Sequence, residues 1–294
     1  MQDQPRYLAG IDGGGSGCRA AIADAAGRVL GRGAAGPANV TSDSAQAVAN
    51  ANTALAQAVM AAGLDAGALA QTALHAGLAG VLDDAMAAEV AARLPTGLTR
   101  VSDDRRTTAL GALGSRAGVL AAIGTGSTLA AVRDGGVKTL GGWGLILGDQ
   151  ASGAWLGRGL CAVALLCVDR LQDHSPLTET LLAEHDTDPG RLVRFAAAAT
   201  PADFAALAPR VVRAAATGDA QARSLMQAGA DYLAQAFKVL RLGGADVLCL
   251  TGGLGPHYAD YLPAGVQARI APPEGDALDG ALRLAARIAQ EASR

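Results

Sequence analysis

The chain has 294 residues, half of them hydrophobic and 17% charged, with a formal net charge of −3. This composition excludes a disordered chain and supplies enough length for two domains with separate cores. No Lys/Arg block stands out, so neither nucleic acid nor an anionic membrane surface is expected as a partner.

In chain order, residues 7–11, 18–23 and 28–33 read as an antiparallel meander, with a second turn at Asp24-Ala25-Ala26-Gly27. A helix follows over 43–62, with Val48, Leu55 and Val59 on one face and Gly63 as its stop. Residues 73–78 form a strand, 84–94 a helix, 98–102 a strand that delivers Asp103 and Asp104 to its end, and 105–114 a short helix. The meander then repeats over 118–140. A helix runs from 150 to 171, and polar loops with Pro176, Pro189, Pro201 and Pro209 separate further helices. A long helix covers 219–241, a buried strand 246–250, a last strand 266–270 and a final helix 277–291.

The predicted fold class is α/β: two ribonuclease-H-like (actin-like ATPase) domains, each a mixed sheet flanked by helices, with an interdomain cleft. The expected division is 1–114 and 115–294, with a hinge near 113–117 and the last helix packing back on the first domain. The four cysteines (Cys18, Cys161, Cys167, Cys249) are scattered without a CxxC pair, which points to reduced thiols. Residues 1–6 lack a signal-peptide pattern, and the longest apolar run, 160–168, is too short to cross a bilayer. A cytoplasmic location is expected.

The chemistry lies in the turns. Asp12-Gly13-Gly14-Gly15-Ser16 and Gly124-Thr125-Gly126-Ser127 each join two apolar strands. Glycine lets backbone N–H groups approach a phosphate chain closely, and two such turns suggest two phosphate clamps. A carboxylate beside a phosphate loop, Asp12, suits a hydrated Mg²⁺ held through water. His75 sits in an apolar strand and reads as a core histidine. No metal cluster is implied.

These stretches, together with Gly77-Leu78-Ala79-Gly80, Ser102-Asp103, Gly141-Gly142-Trp143-Gly144, Gly148-Asp149-Gln150-Ala151-Ser152-Gly153 and Leu250-Thr251-Gly252-Gly253, resemble the sugar-kinase, actin and heat-shock-chaperone superfamily. Within it, they resemble the BadF/BadG/BcrA/BcrD family of activator ATPases and bacterial N-acetylglucosamine or glucosamine kinases, over nearly the whole chain. The resemblance implies transfer of the ATP γ-phosphate to O6 of N-acetylglucosamine or glucosamine, with Mg²⁺. It makes Asp103 the general base; Asp104 stands where related kinases usually carry a small residue and reads as a cap or supporting group. The resemblance gives the sugar to Asn39, Asp103, Gly142, Trp143 and Asp149. ATP goes to Asp12, Gly13, Gly14, Gly15, Ser16, Gly124, Thr125, Gly126, Ser127, Gly252 and Gly253.

Blander roles compete at several positions: helix capping for Asp103 and Asp149, a local turn for Asn39, and core packing for Trp143. The resemblance leaves room for a homodimer. It also leaves two rival functions, an activator ATPase with a cysteine-bound iron–sulfur cluster and a sugar-sensing regulator without catalysis.

Overall fold

The computed structural model describes residues 5–293. The chain divides into two compact units: unit 1 is Met1–Arg116, Val132–Val137 and Pro273–Arg294, and unit 2 is Ala117–Ala131 and Lys138–Pro272.

Unit 1 opens with β1 (Tyr7–Gly13), β2 (Cys18–Asp24) and β3 (Val29–Ala35), then α1 (Ser44–Ala61), β4 (Thr72–Leu78), α2 (Asp84–Ala91), β5 (Leu98–Asp103) and α3 (Asp104–Leu113). The sheet order is β3-β2-β1-β4-β5. β1, β2 and β3 pair antiparallel, whereas β4 and β5 join β1 in parallel. Because the parallel strands point the same way, Gly13, Leu78 and Asp103 all end at one edge of the sheet, the edge where open α/β sheets bind ligands. Asp43 starts α1 by accepting from the Gln46 N–H, and the helix lays Val48, Leu55 and Val59 on a core with Ile11, Ile22 and Leu74.

Unit 2 contains β6 (Gly118–Ile123), most of β7 (Ser127–Arg133) and β8 (Gly136–Gly141), whose connecting hairpin end belongs to unit 1, then α4 (Gly153–Val168), α5 (Pro176–Ala183), α6 (Pro189–Ala198), α7 (Pro201–Ala205), α8 (Ala208–Ala216), α9 (Ala220–Val239), β9 (Val247–Thr251) and α10 (Ala264–Gln267). Its sheet runs β8-β7-β6-β9, with β6 and β9 parallel. Pro176, Pro189 and Pro201 are each the first residue of a helix, where a missing N–H costs nothing, behind the caps Ser175, Asp188 and Thr200. Leu160, Leu225, Leu233 and Phe237 build the helical side of the core. Tyr258 is fully buried, and its hydroxyl donates to Ala151 O at 2.8 Å.

The strand expected over 266–270 is not formed. Pro263 instead starts the short helix α10, and the segment contributes a single bridge, Ile270 to Leu248. Two branched residues in five do not hold an extended chain against a proline-initiated turn.

The last helix, α11 (Ala277–Ala292), covers the second face of the unit 1 sheet. Leu278, Leu282, Ala285 and Ile288 pack on Leu8, Ala21 and Ala73.

Candidate active site

In unit 1, Asp12 lies one residue before the end of β1, opposite Arg19 on β2 and Gly77 on β4. Arg19 bridges two carboxylates, Asp12 Oδ2 at 2.6 Å through Nη2 and Asp276 Oδ2 at 2.8 Å through Nη1. The turn after Asp12 is closed by the Gly14 N–H donating to Gly17 O at 2.9 Å, and Gly15 and Ser16 stand exposed at its tip.

Asn39 follows β3. Its Oδ1 accepts from Thr41 N at 3.1 Å, Thr41 Oγ1 at 2.8 Å and Ser42 N at 3.2 Å, so the local-turn role is real. The amide Nδ2 has no intramolecular partner among the described residues. Asn39 sits against Gly80, whose positive φ of 80° bends the chain directly after β4.

Asp103 ends β5, beside Leu78 of β4, and caps α3. Its Oδ1 accepts from Arg105 N at 2.8 Å and from Arg105 Nε at 2.6 Å. The cap of α3 is therefore Asp103, and Asp104, for which capping was one expected role, is instead the first helical residue. Burial, then the negative charges of Asp103 and Asp12, push the Asp104 carboxyl up to about 6 against a smaller opposing pull from Arg105. Asp12, Asp103 and Asp104 thus form one acidic neighbourhood at the carboxyl edge of the sheet.

In unit 2, the turn Gly124-Thr125-Gly126 rests on the start of α4. The Gly153 N–H donates to Gly124 O at 2.8 Å and the Ala154 N–H to Thr125 O at 3.1 Å. Ser127 is buried under this turn and its hydroxyl donates to Gln150 O at 2.8 Å, so it fastens the loop instead of facing outward.

Asp149 has a positive φ of 53° and does not cap α4; Ser152 does, accepting from the Trp155 N–H at 3.1 Å. The Asp149 carboxylate lies against Gly126: a Cβ there would come within 2.8 Å of Oδ2. Burial and the charge of Asp149 raise the pKa of Tyr232. Trp143 is 75% exposed, which removes the core-packing alternative, and Gly142 beside it is exposed with φ 75°.

Gly252 (φ 78°) and Gly253 follow β9, the parallel neighbour of β6, so they emerge beside Gly124. Gly124, Thr125 and Gly253 line one cavity of about 440 Å³ with Ala208, Pro209, Val212, Arg213, Leu254 and His257. Its walls are largely apolar, with one guanidinium and one imidazole, a composition suited to a flat heteroaromatic group.

Sequence reasoning missed Arg19, Arg105, Arg213 and His257. The first two could have been found from the tight β1–β2 hairpin register and from a basic residue two positions after a cap; nothing local marks the other two.

Among the described residues no group of three or more His, Cys, Asp or Glu side chains converges as a metal site. Mg²⁺ needs only one or two carboxylates when phosphates and waters complete its shell. The crowded negative charge that raises Asp104 is the environment a cation would relieve, so Asp12, with Asp104 near it, fits.

Two mixed sheets flanked by helices, each with a glycine turn at the end of its first strand, define the actin-like ATPase and sugar-kinase fold. A candidate N-acetylglucosamine kinase from Porphyromonas gingivalis shares it at a TM-score of 0.64 and 19% identity, over 95% of this chain and 99% of that one. More narrowly, the chain belongs to the BadF/BadG/BcrA/BcrD ATPase family, which it matches over residues 9–269. A solved candidate N-acetylglucosamine kinase from Chromobacterium violaceum is 34% identical, with a TM-score of 0.77, over 95% of this chain and 99% of that one. The glucosamine kinase GspK of Vibrio cholerae is 29% identical over 96% of each chain.

Proposed function

We propose that the protein is an ATP-dependent amino-sugar kinase that transfers the γ-phosphoryl group to O6 of N-acetylglucosamine or glucosamine. The observation that carries this is the β1–β4–β5 register, which sets Asp12 and Asp103 at one carboxyl edge with Asp103 Oδ1 already held by Arg105. The other oxygen, Oδ2, is then the one to take the proton of the sugar 6-hydroxyl and to orient its oxygen for in-line attack. Family membership and the two amino-sugar kinase relatives support this choice of acceptor.

From unit 1, Asn39 Nδ2 would donate to a sugar hydroxyl, and the N–H groups of Gly13, Gly14, Gly15 and Ser16 would contact phosphate oxygens. From unit 2, Asp149, Gly142 and Trp143 are assigned to the sugar. Gly124, Thr125 and Gly126 are assigned to the phosphates, and Gly252 and Gly253 with the apolar cavity to the adenosine. Ser127 supports this loop from beneath. Mg²⁺, held by Asp12 through water, would supply charge neutralisation of the phosphates.

An activator ATPase is disfavoured because all four cysteines are buried. Burial, reinforced by Asp12, pushes the Cys18 thiol up to about 12, and burial pushes Cys161 up to about 11, which opposes the thiolate form a cluster requires. No helix among the described residues is long and apolar enough to cross a membrane. Dependence on ATP fits the cytoplasm.

The test is ADP release with N-acetylglucosamine, glucosamine, glucose and N-acetylmuramic acid, run beside Asp103→Asn. Release that depends on an amino sugar and is lost in the variant supports the proposal and names the acceptor; release indifferent to every sugar sinks it.

A further inference from the structure

Unit 1 holds a second cavity, of about 590 Å³, that none of the proposed kinase residues line. It collects three arginines from three different elements: Arg100 from β5, Arg106 from α3 and Arg287 from α11. Their charges are unevenly compensated. Arg100 pairs with Glu291 at 2.7 Å. Arg287 donates through Nη1 to a neutral acceptor, Gly135 O, at 3.0 Å. The Arg106 side chain makes no hydrogen bond or ion pair among the described residues. Asp134 also lines the cavity and pairs with none of the three.

The floor of the cavity includes His75, only 4% exposed, which the β4–β5 register sets opposite Arg100. Its Nε2 lies 3.0 Å from Ser102 Oγ, and that hydroxyl donates to Asp103 O at 3.0 Å. With the hydroxyl proton directed to Asp103 O, Nε2 is the nitrogen placed to donate to Ser102 Oγ. Burial, then Arg106 and Arg100, hold its pKa down to about 3, so the imidazole is neutral and the positive charge at the cavity comes from the arginines.

Two guanidinium groups without a carboxylate partner, facing a concave space of small-molecule size, match a doubly charged oxyanion. Guanidinium forks bind phosphate oxygens in pairs, and a concave wall concentrates the field. The two acids, Asp134 and Glu291, accept hydrogen bonds and would repel a second anionic group, so the remainder of the ligand should carry hydroxyl or amino donors.

We propose that this cavity is a binding site for a small phosphomonoester bearing hydroxyl or amino groups, its phosphate held by Arg106 and Arg287. The site stands apart from the proposed kinase chemistry and does not depend on it.

The test is calorimetric titration of the whole protein with glucosamine 6-phosphate, inorganic phosphate, sulfate and glucosamine. Excess amino sugar and a non-hydrolysable ATP analogue are present throughout to fill the proposed active site. The same titrations are run on Arg106→Gln and Arg287→Gln, with unfolding midpoints as a check on folding. The expected result is saturable binding of the phosphomonoester that each substitution weakens about tenfold or more, as loss of a charge-assisted contact requires. The His75 imidazole proton resonance should shift on binding in the wild type and not in Arg106→Gln. No binding of the ester, binding unaffected by both substitutions, or binding of sulfate and inorganic phosphate as tight as that of the ester would each overturn the proposal. Were the kinase reading wrong, the additives would leave the titration unchanged and this site would still be read directly.

Discussion

Asp103 and Arg105 are joined through a single carboxylate oxygen, with Oδ1 accepting the Arg105 backbone N–H at 2.8 Å and its Nε at 2.6 Å. Capping and the proposed proton acceptance, which compete when the sequence alone is read, can therefore be divided between the two oxygens of one side chain. Asparagine keeps a capping oxygen but cannot take a proton, so Asp103→Asn should retain the wild-type unfolding midpoint. Its kcat should fall by about 10²- to 10⁴-fold, the usual weight of a general base. Asp103→Ala should lose about 1 kcal/mol of stability as well, because the cap goes too. Steady-state ADP release and thermal unfolding on the three proteins check this; an Asn variant with near wild-type kcat removes Asp103 as the base.

Asp104 gives a pH dependence. Its carboxyl sits at about 6 in the folded protein against an ordinary value of 3.8, because it is buried beside Asp103 and Asp12. Its place at the start of α3 favours the charged form by less than about 1 kcal/mol, too little to reverse the burial cost. The folded state thus holds this proton more tightly than the unfolded chain. The stabilisation is fully present below 3.8 and is lost as pH rises through about 6. Asp104→Asn should be more stable than wild type at pH 8, by at most about 3 kcal/mol at 1.36 kcal/mol per pKa unit, and no more stable at pH 4. Denaturant unfolding without Mg²⁺ or nucleotide at the two pH values checks it, and a pH-independent difference contradicts it.

Much of this architecture is written locally. Apolar runs broken by glycine turns locate β1, β6 and β9, and a strand ending in Ser102-Asp103 places the carboxylate at the sheet edge. What escapes is decided by register or by distant packing. Arg19 meets Asp12 only because the β1–β2 hairpin pairs them directly. The segment Asp149-Gln150-Ala151-Ser152 offers two capping residues, and the helix uses the later one, which frees the Asp149 carboxylate. Val212, Arg213 and His257 join Gly124 in one cavity through tertiary packing across long sequence separations, which no local pattern encodes. Ser127 reads identically in sequence whether its hydroxyl faces out or in; strand alternation turns it inward to Gln150.

The two glycines of the second turn should answer differently to the same substitution. A Cβ on Gly126 would lie 2.8 Å from Asp149 Oδ2, whereas one on Gly124 would meet nothing within 4 Å and would project beside the apolar cavity. Gly126→Ala should displace the Asp149 carboxylate and lower kcat/KM for the amino sugar by about 10- to 100-fold, the range for an ångström-scale misplacement. Gly124→Ala should raise KM for ATP and leave the sugar KM unchanged. Initial rates with each substrate varied in turn separate the two. A common effect of both substitutions on one substrate would show that Asp149 and the turn serve the same ligand.

The last helix supports the strand end that bears Asp103 through a backbone-to-backbone crossing. A Cβ on Gly280 of α11 would collide with Thr107 O of α3 and stand 2.7 Å from Gly111 N, and a Cβ on Gly111 would collide with Asp276 O. Only glycine at both positions lets α11 approach α3, and α3 is the helix that Asp103 caps. Adding one methyl group must push the helices apart, so Gly280→Ala should cost about 1–3 kcal/mol, the usual range for overpacking. Because Asp103 caps the displaced helix, kcat should fall while KM for ATP holds. Gly265→Ala is the control: it lies in α10 with nothing within 4 Å of its added Cβ, and it should be neutral or slightly stabilising. Denaturant midpoints and kcat on the two variants decide the matter, and a Gly280→Ala protein of full stability and full activity would show that the crossing does not position Asp103.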